Sequence, residues 1–172
     1  MARPEMPGER VRLRPVRPSD RERLATILAE PSVARWWGPP RAGHEAVDDW
    51  LAGDDDTYAL TIEADGEVVG SIQVSEETDP DYRHAGIDLF LATGHQGRGL
   101  GPDAIRTVAR YLFEDRGHHR LTIDPSAANE RAIRAYERVG FRRVGVMRAY
   151  ERGLDGTFHD GLLMELLRGD PT

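Results

Sequence analysis

The stretch His95–Gly101, "HQGRGLG", decides how this chain folds around its ligand, because it sets glycines at alternate positions 97, 99 and 101 with Arg98 and Leu100 between them. Such spacing lets main chain come close to something, most often a phosphate. The residues on either side narrow the meaning. Before it, "AGIDLFLAT" (Ala85 to Thr93) is mostly apolar and predicts a central strand. After it, Pro102 suits the first turn of a helix, and Ala104, Ile105, Val108, Ala109, Leu112 and Phe113 recur at helical spacing. The run therefore ends a strand and opens a helix, where unpaired N–H groups and a partial positive charge favour an anion. Arg98 adds positive charge, and Asp103 is expected to point to solvent. Two nucleotide readings fail. A Walker loop needs Lys-Ser/Thr after its last glycine, and Gly101 is followed by Pro102. A dinucleotide fingerprint needs a third glycine where Pro102 stands, and its strand should be the first of the chain.

The chain of 172 residues suits one domain spanning 1–172, and 39% apolar with 31% charged residues is the composition of a soluble protein. No apolar run approaches the roughly 20 residues that cross a bilayer. The start has no signal-like stretch, so a cytoplasmic location without membrane contact is expected. A formal charge of −7 argues against nucleic acid as a partner and favours a cationic small molecule. There is no cysteine, which excludes thiolate sites and a cysteine nucleophile. All 23 basic residues are arginine, so no lysine chemistry is available. The six histidines are scattered or adjacent and form no metal pattern, and no metal is expected.

Other elements follow from local pattern. "ERVRLRPV" (Glu9 to Val16) alternates as a first strand, and Ser19-Asp20 caps a helix running to about Glu30. "VARWWGPP" (Val33 to Pro40) is a loop, and a second helix spans Gly43 to Leu51. Thr57–Ala64 and Glu67–Val74 are strands joined by an Asp65-Gly66 hairpin turn, followed by a polar loop, Ser75 to His84. His119–Asp124 is a short strand, and Asn129–Val139 a helix with Asn129 as cap and Gly140 as stop. Two strands around Leu154-Asp155-Gly156 close the pattern, an α/β order of strand, helices, hairpin, strand, helix, strand, helix and hairpin.

With these elements placed, Gln96-x-x-Gly99-x-Gly101 resembles the coenzyme A pyrophosphate loop of the GNAT N-acetyltransferases, and "NERAIRAYERVGF" (Asn129 to Phe141) resembles that family's late helix. The resemblance implies a single-domain α/β fold: a mixed, mostly antiparallel central sheet, splayed between its two parallel central strands and flanked by helices. Within the family, "RWWG" (Arg35 to Gly38), "EETDP" (Glu76 to Pro80), "GID" (Gly86 to Asp88) and "IDPS" (Ile123 to Ser126) are similar to bacterial aminoglycoside 6′-N-acetyltransferases, whose antibiotic-resistance role is the expectation carried here.

The resemblance implies acetyl-coenzyme A as cofactor, bound by Leu89, Phe90, Leu91, Ala92 and Thr93 of the strand, by Gln96, Gly97, Arg98, Gly99, Leu100, Gly101 and Pro102 of the loop, and by Asn129, Ala132 and Tyr136 of the late helix. A main-chain N–H near Leu89 or Phe90 would polarise the thioester carbonyl. Tyr136 would be the general acid; the residues alone equally allow a tyrosine packed with Ala132, Ile133 and Val139. Asp88 interrupts an apolar strand, and a carboxylate there costs free energy unless it has a partner or a task. With Asp124 it would bind, orient and deprotonate the amine, or the two are held by arginines and loop N–H groups. Glu77 and Asp79 would extend an acidic wall or simply belong to a solvated loop, and Trp36 and Trp37 would close over the acceptor, with core packing an equal reading for Trp36.

Without a cysteine, transfer is expected by direct attack in a ternary complex. The acceptor could instead be a protein N-terminus, a polyamine or a siderophore precursor; "HDGLLMEL" (His159 to Leu166) also resembles ribosomal-protein N-terminal acetyltransferases. A coenzyme A-binding sensor without catalysis is the remaining reading. The protein is expected to be a monomer or a homodimer.

Overall fold

A computed structural model describes residues 3–37 and 43–172. Gly38, Pro39 and Pro40 of the tryptophan loop, and so the glycine of "RWWG", lie outside the described residues. Eight strands form one sheet: β1 (Met6–Pro7), β2 (Arg12–Pro15), β3 (Thr57–Ala64), β4 (Glu67–Glu77), β5 (His84–Leu91), β6 (Arg120–Ile123), β7 (Arg142–Arg152) and β8 (Phe158–Leu167), in the order β1-β2-β3-β4-β5-β6-β8-β7. Neighbours are antiparallel except β5 and β6. Helices α1 (Arg21–Leu28), α2 (Pro31–Ala34) and α3 (Gly43–Leu51) bury Leu24, Ile27, Val33 and Val47 with Phe90 on one face. Helices α4 (Leu100–Glu114) and α5 (Glu130–Val139) bury Ile105, Leu112, Ile133 and Val139 with Ile87 and Leu89 on the other. This is the GNAT-like architecture expected above. Among the described residues no helix is long and apolar enough to cross a membrane.

The β5–β6 pair carries the feature on which the site rests. Its parallel ladder consists of Ala85↔Leu121 and Gly86↔Thr122, and then stops. Continued at the same offset, it would set Asp88 beside Asp124 on one face of the sheet, and like charges directly opposite destabilise a pair. Pro125 follows Asp124, and its carbonyl accepts the Leu162 N–H of β8. The strands part there, and β5 keeps an unpaired edge from Ile87 to Leu91 while its other edge stays paired to β4.

Several expectations are corrected. The first strand is shorter, Arg12–Pro15, and Met6–Pro7 pairs with it as an extra edge. Val33 and Ala34 belong to the short helix α2 rather than to a loop. The helix expected from Ser19 starts at Arg21, after a 3-10 turn. Asp20 does not cap it: its carboxylate is buried and accepts Arg14 Nη1 and Nη2 at 2.7 and 2.8 Å, the Arg17 N–H at 2.8 Å and the Thr61 hydroxyl at 2.9 Å. Burial alone would raise its pKa, but these bonds outweigh burial and hold it below the ordinary range. The polar loop is narrower than Ser75 to His84, because Ser75–Glu77 finish β4 and His84 begins β5. Glu76 in that stretch is buried, bonded to the Tyr58 hydroxyl at 2.9 Å, to Arg116 Nε at 3.1 Å and to His118 Nε2 at 2.7 Å.

Asp103 does not face solvent either. It is buried near the start of α4, and its carboxylate accepts the N–H groups of Glu9, Arg10 and Val11 at 3.1, 2.7 and 2.9 Å. One side chain thereby ties the N-terminal segment to the helix that carries the glycine run. Replacing it with alanine strands three N–H groups. Asp103→Ala is expected to lower the unfolding free energy by about 3 kcal/mol, measured by urea denaturation.

Candidate active site

The glycine run forms a turn that other residues adopt only with strain. Gly97 and Gly99 have φ of +71° and +80°, in the left-handed region, and α4 starts at Leu100. The N–H groups of Gly97, Arg98, Gly99, Leu100 and Gly101 make no hydrogen bond to another described residue. Gln96 holds the turn from inside: its amide nitrogen donates to the Leu91 carbonyl at 2.9 Å and to the Ser32 hydroxyl at 3.1 Å. The Arg131 guanidinium reaches over from α5, so that a Cβ placed on Gly97 would stand 2.7 Å from its Nη2. A nest of free N–H groups beneath an arginine fits a pyrophosphate.

A cleft of about 570 Å³ runs from this turn along β5 to α5. It is lined by Leu89, Phe90, Leu91, Gln96, Gly97, Gly99, Gly101, Pro102, Asn129, Ala132 and Tyr136 of the expected cofactor set. Ala92, Thr93, Arg98 and Leu100 are not in its walls. Ala92 and Leu100 are buried, Thr93 is tied to Glu30 by its N–H and hydroxyl at 2.7 and 2.6 Å, and the Arg98 side chain turns back toward the Gly94 carbonyl. Arg35, Arg131 and Arg138 also line this cleft, and among the described residues none is in an ion pair.

The open edge of β5 follows from strand alternation. Leu91 turns its carbonyl to Gln96, Ala92 turns its N–H to the Val69 carbonyl, and Leu89 donates its N–H to Asp88 Oδ1 at 2.9 Å. Odd-numbered residues therefore present main chain to the edge that β6 has left, and the Phe90 N–H points into β4. Of the two N–H groups expected near the thioester, that of Leu89 lies on the open edge.

A second cleft, of about 460 Å³, opens where the first ends; both are lined by Trp36, Trp37, Leu89, Asn129 and Tyr136. Its remaining described walls are Asp88, Asp124, Pro125, Ser126, Tyr150 and Glu151, three carboxylates and, among the described residues, no arginine or histidine. Tyr136 is 9% exposed, and no described residue bonds its hydroxyl. Burial first, then the charges of Asp88 and Asp124, holds this phenol far above its ordinary pKa. Asp88 opens into the cavity but is enclosed by its walls. That enclosure, with the charge of Asp124, outweighs the Leu89 N–H and pushes its carboxyl up to about 7. Asn129 caps α5, accepting the Ala132 N–H at 3.2 Å, and also faces both clefts. Trp37 rests edge-on against Phe90, ring centres 5.1 Å apart.

Glu77 and Asp79 are not brought to this cleft. Glu77 pairs with His84, four residues along β5 from Asp88, and the two carboxylates accept N–H groups of their own turn. Tyr150 and Glu151 were not singled out by sequence. A bulge places them: three residues, Arg148, Ala149 and Tyr150, stand against Asp160 alone between Met147↔Gly161 and Glu151↔His159. Ala149 takes φ +47° and donates its N–H to Asp160 Oδ1 at 2.9 Å. The Tyr150 hydroxyl then reaches Asp124 Oδ2 at 2.6 Å. Nothing in the residue types of β7 marks this bulge; it appears only in the register with β8.

Comparisons with known proteins agree with this geometry. The profile of an "Acetyltransferase (GNAT) domain" matches residues 10–142. The aminoglycoside N(6′)-acetyltransferase type 1 of Klebsiella pneumoniae is 33% identical over 160 residues, covering 81% of this chain and 78% of that one. The spermidine N(1)-acetyltransferase of Escherichia coli is 27% identical over 158 residues, covering 90% and 84%. The structure of Mycobacterium smegmatis RimJ in complex with CoA-disulfide superposes with a TM-score of 0.85 at 24% identity, over 95% of this chain and 87% of that one.

The left-handed turn at Gly97 gives a direct check. Gly97→Ala adds backbone strain of about 1 kcal/mol and crowds Arg131, so acetyl-coenzyme A binding measured by calorimetry should weaken about fivefold or more.

Proposed function

We propose, from the premise that the chain belongs to the GNAT acetyltransferase family, that it acetylates an aminoglycoside at its 6′-amine by direct attack in a ternary complex. That it is an N-acetyltransferase using acetyl-coenzyme A follows from the family. The acceptor class rests on one observation: the second cleft is walled by Asp88, Asp124 and Glu151, and among the described residues no cation lines it. Such a cleft attracts a polycationic amine. The 33% identity to an aminoglycoside 6′-enzyme over most of both chains favours the sugar over a linear polyamine.

Each residue has a task set by its place. Free N–H groups of residues 97–101 with Arg131 would hold the pyrophosphate, and the open edge of Ile87–Leu91 would hold the pantetheine amides as an added strand. Bound acetyl-coenzyme A would supply the thioester carbonyl and the leaving thiolate. The Leu89 N–H donates toward a carbonyl oxygen as it gains negative charge, once the acceptor's ammonium draws the Asp88 carboxylate away from it. Asp88, near half-ionised at neutral pH, accepts the ammonium proton. Tyr136 keeps its proton beside two carboxylates and can deliver it to a departing sulfur.

The two readings of Asp88 and Tyr136 separate in kinetics. Tyr136→Phe and Asp88→Asn should each lower kcat about 10²-fold or more, with thermal unfolding little changed. Wild-type kcat/KM should rise as pH climbs through about 7, where the Asp88 carboxyl ionises, and Asp88→Asn should lose that rise. Undiminished turnover in Asp88→Asn would remove it as the base.

The acceptor is tested by thiol release with kanamycin, spermidine and short peptides, followed by nuclear magnetic resonance of the product. Release with kanamycin and an acetyl group on the 6′ nitrogen is expected. Turnover confined to spermidine or peptides overturns the aminoglycoside assignment, and tight coenzyme binding with no turnover on any amine returns the sensor reading.

A further inference from the structure

We infer that Tyr150 and Glu151, on the β7 bulge, form a second ammonium subsite that makes the enzyme select acceptors with two or more amines. This rests on the acceptor cleft assigned above and adds the residues that set its specificity.

The charges along the cleft are ordered. Tyr136 is influenced by Asp88 more than by Asp124; Asp88 is influenced by Asp124 more than by Glu151; Glu151 is raised by burial and then by Asp124. The strand order agrees: Asp88 adjoins Leu89 on β5, Asp124 follows the end of β6, and Glu151 lies on β7 beside Tyr150, whose hydroxyl reaches Asp124. An amine at Asp88 can react with the thioester held at Leu89. An amine at Glu151 is held at β7, with β6 and β8 between it and the Leu89 N–H of β5. Glu151 has no ion-pair partner among the described residues.

Tyr150 completes this outer position. Its hydroxyl donates to Asp124 Oδ2 at 2.6 Å, which fixes one carboxylate oxygen and leaves Oδ1 without a bond to any described residue. The phenol oxygen keeps a lone pair for a second donor. Asp124 Oδ1, the Tyr150 oxygen and the Glu151 carboxylate are thus acceptors only, suited to an ammonium with three N–H groups. The cluster is not simply an acidic surface: Tyr136, 9% exposed and with an unpartnered hydroxyl, lines the same cavity. Ala149 at φ +47°, tied to Asp160, commits the bulge to this aim. A strand in register would have alternated past it.

The test compares wild type, Glu151→Gln and Tyr150→Phe with kanamycin, spermidine and a sugar bearing one amine, methyl 6-amino-6-deoxyglucoside. For polyamino acceptors, KM should rise about tenfold in Glu151→Gln and about threefold in Tyr150→Phe, while kcat changes by less than about threefold. The single-amine sugar should show the same KM, within about twofold, in all three proteins. Glu151→Asp should recover part of the loss. Equal KM changes for the single-amine sugar, unchanged KM for polyamines, or a loss falling on kcat would each overturn the subsite. If spermidine alone is a substrate, the aminoglycoside assignment falls and the subsite is judged on spermidine. If neither is acetylated, titration of the cleft tryptophans' fluorescence with both decides. Tighter binding by wild type than by Glu151→Gln supports the subsite, and no binding or equal binding overturns it.

Discussion

The site exists because two parallel strands stop pairing. A strand edge left open inside a protein has unmet N–H and carbonyl groups, and such groups are costly unless something satisfies them. Here the cost of continuing is higher. The next pairs in register would stack Asp88 on Asp124. Strand β6 is only four residues long and ends at that point. The gap exposes the Leu89 N–H, leaves the open edge of β5 to be completed by an extended ligand, and joins the donor cleft to the acceptor cleft at Leu89 and Tyr136. The carboxylates that prevent closure are the ones that face the acceptor.

The chain also sorts its charge. Among the described residues, this protein of net charge −7 places three arginines without ion pairs around the coenzyme cleft and three carboxylates around the acceptor cleft. Elsewhere it neutralises buried charge tightly. Arg14 is clamped between Asp20 and Glu63, and Glu76 takes bonds from Tyr58, Arg116 and His118. Unpaired charge in these two clefts is therefore a departure from how the same chain treats charge in its core. It matches an anionic donor on one side and a cationic acceptor on the other, and like-charge crowding across each cleft is relieved when its ligand arrives.

Much of this was legible from local sequence. The glycine turn, the strand before it, the helix after it, and Asn129 with Tyr136 on one late helix all depend on residues close in the chain, where spacing and propensity carry the information. The Asp65-Gly66 hairpin was equally local, with both residues at positive φ. What sequence missed is long-range. Asp103 meets its three N–H partners more than ninety residues away, which no periodicity records. Asp20 has the residue type and position of a cap but is drawn into the core by Arg14. Glu77 and Asp79 looked available to the acceptor because they are acidic and follow a strand. The β4–β5 register carries them past the far end of the cleft. Tyr150 and Glu151 were invisible for the opposite reason: only the three-against-one bulge aims them inward.

The proposed acid and base share one cavity without exchanging roles, and the same two causes, burial first and then the neighbouring carboxylates, act on both. Each carboxylate makes it harder to remove a proton from anything nearby. For Asp88 that pressure lifts a strong acid to about 7, where it can hold or release a proton during a cycle. For Tyr136 it lifts a weak acid further, so the phenol stays protonated until a stronger base than any cleft carboxylate appears. A departing thiolate is such a base; an acceptor amine is consumed before it can compete. Entry of a polycation offsets part of the charge, lowering Asp88 toward its ordinary value as the ammonium docks. The docked ammonium is then held by an ionised carboxylate. Neutralising the amine would remove that cation, and the restored field of Asp124 would raise Asp88 again and favour its keeping the proton. In this reading Asp124, the carboxylate nearest in register, would help to time proton transfer at Asp88 as well as to bind the acceptor.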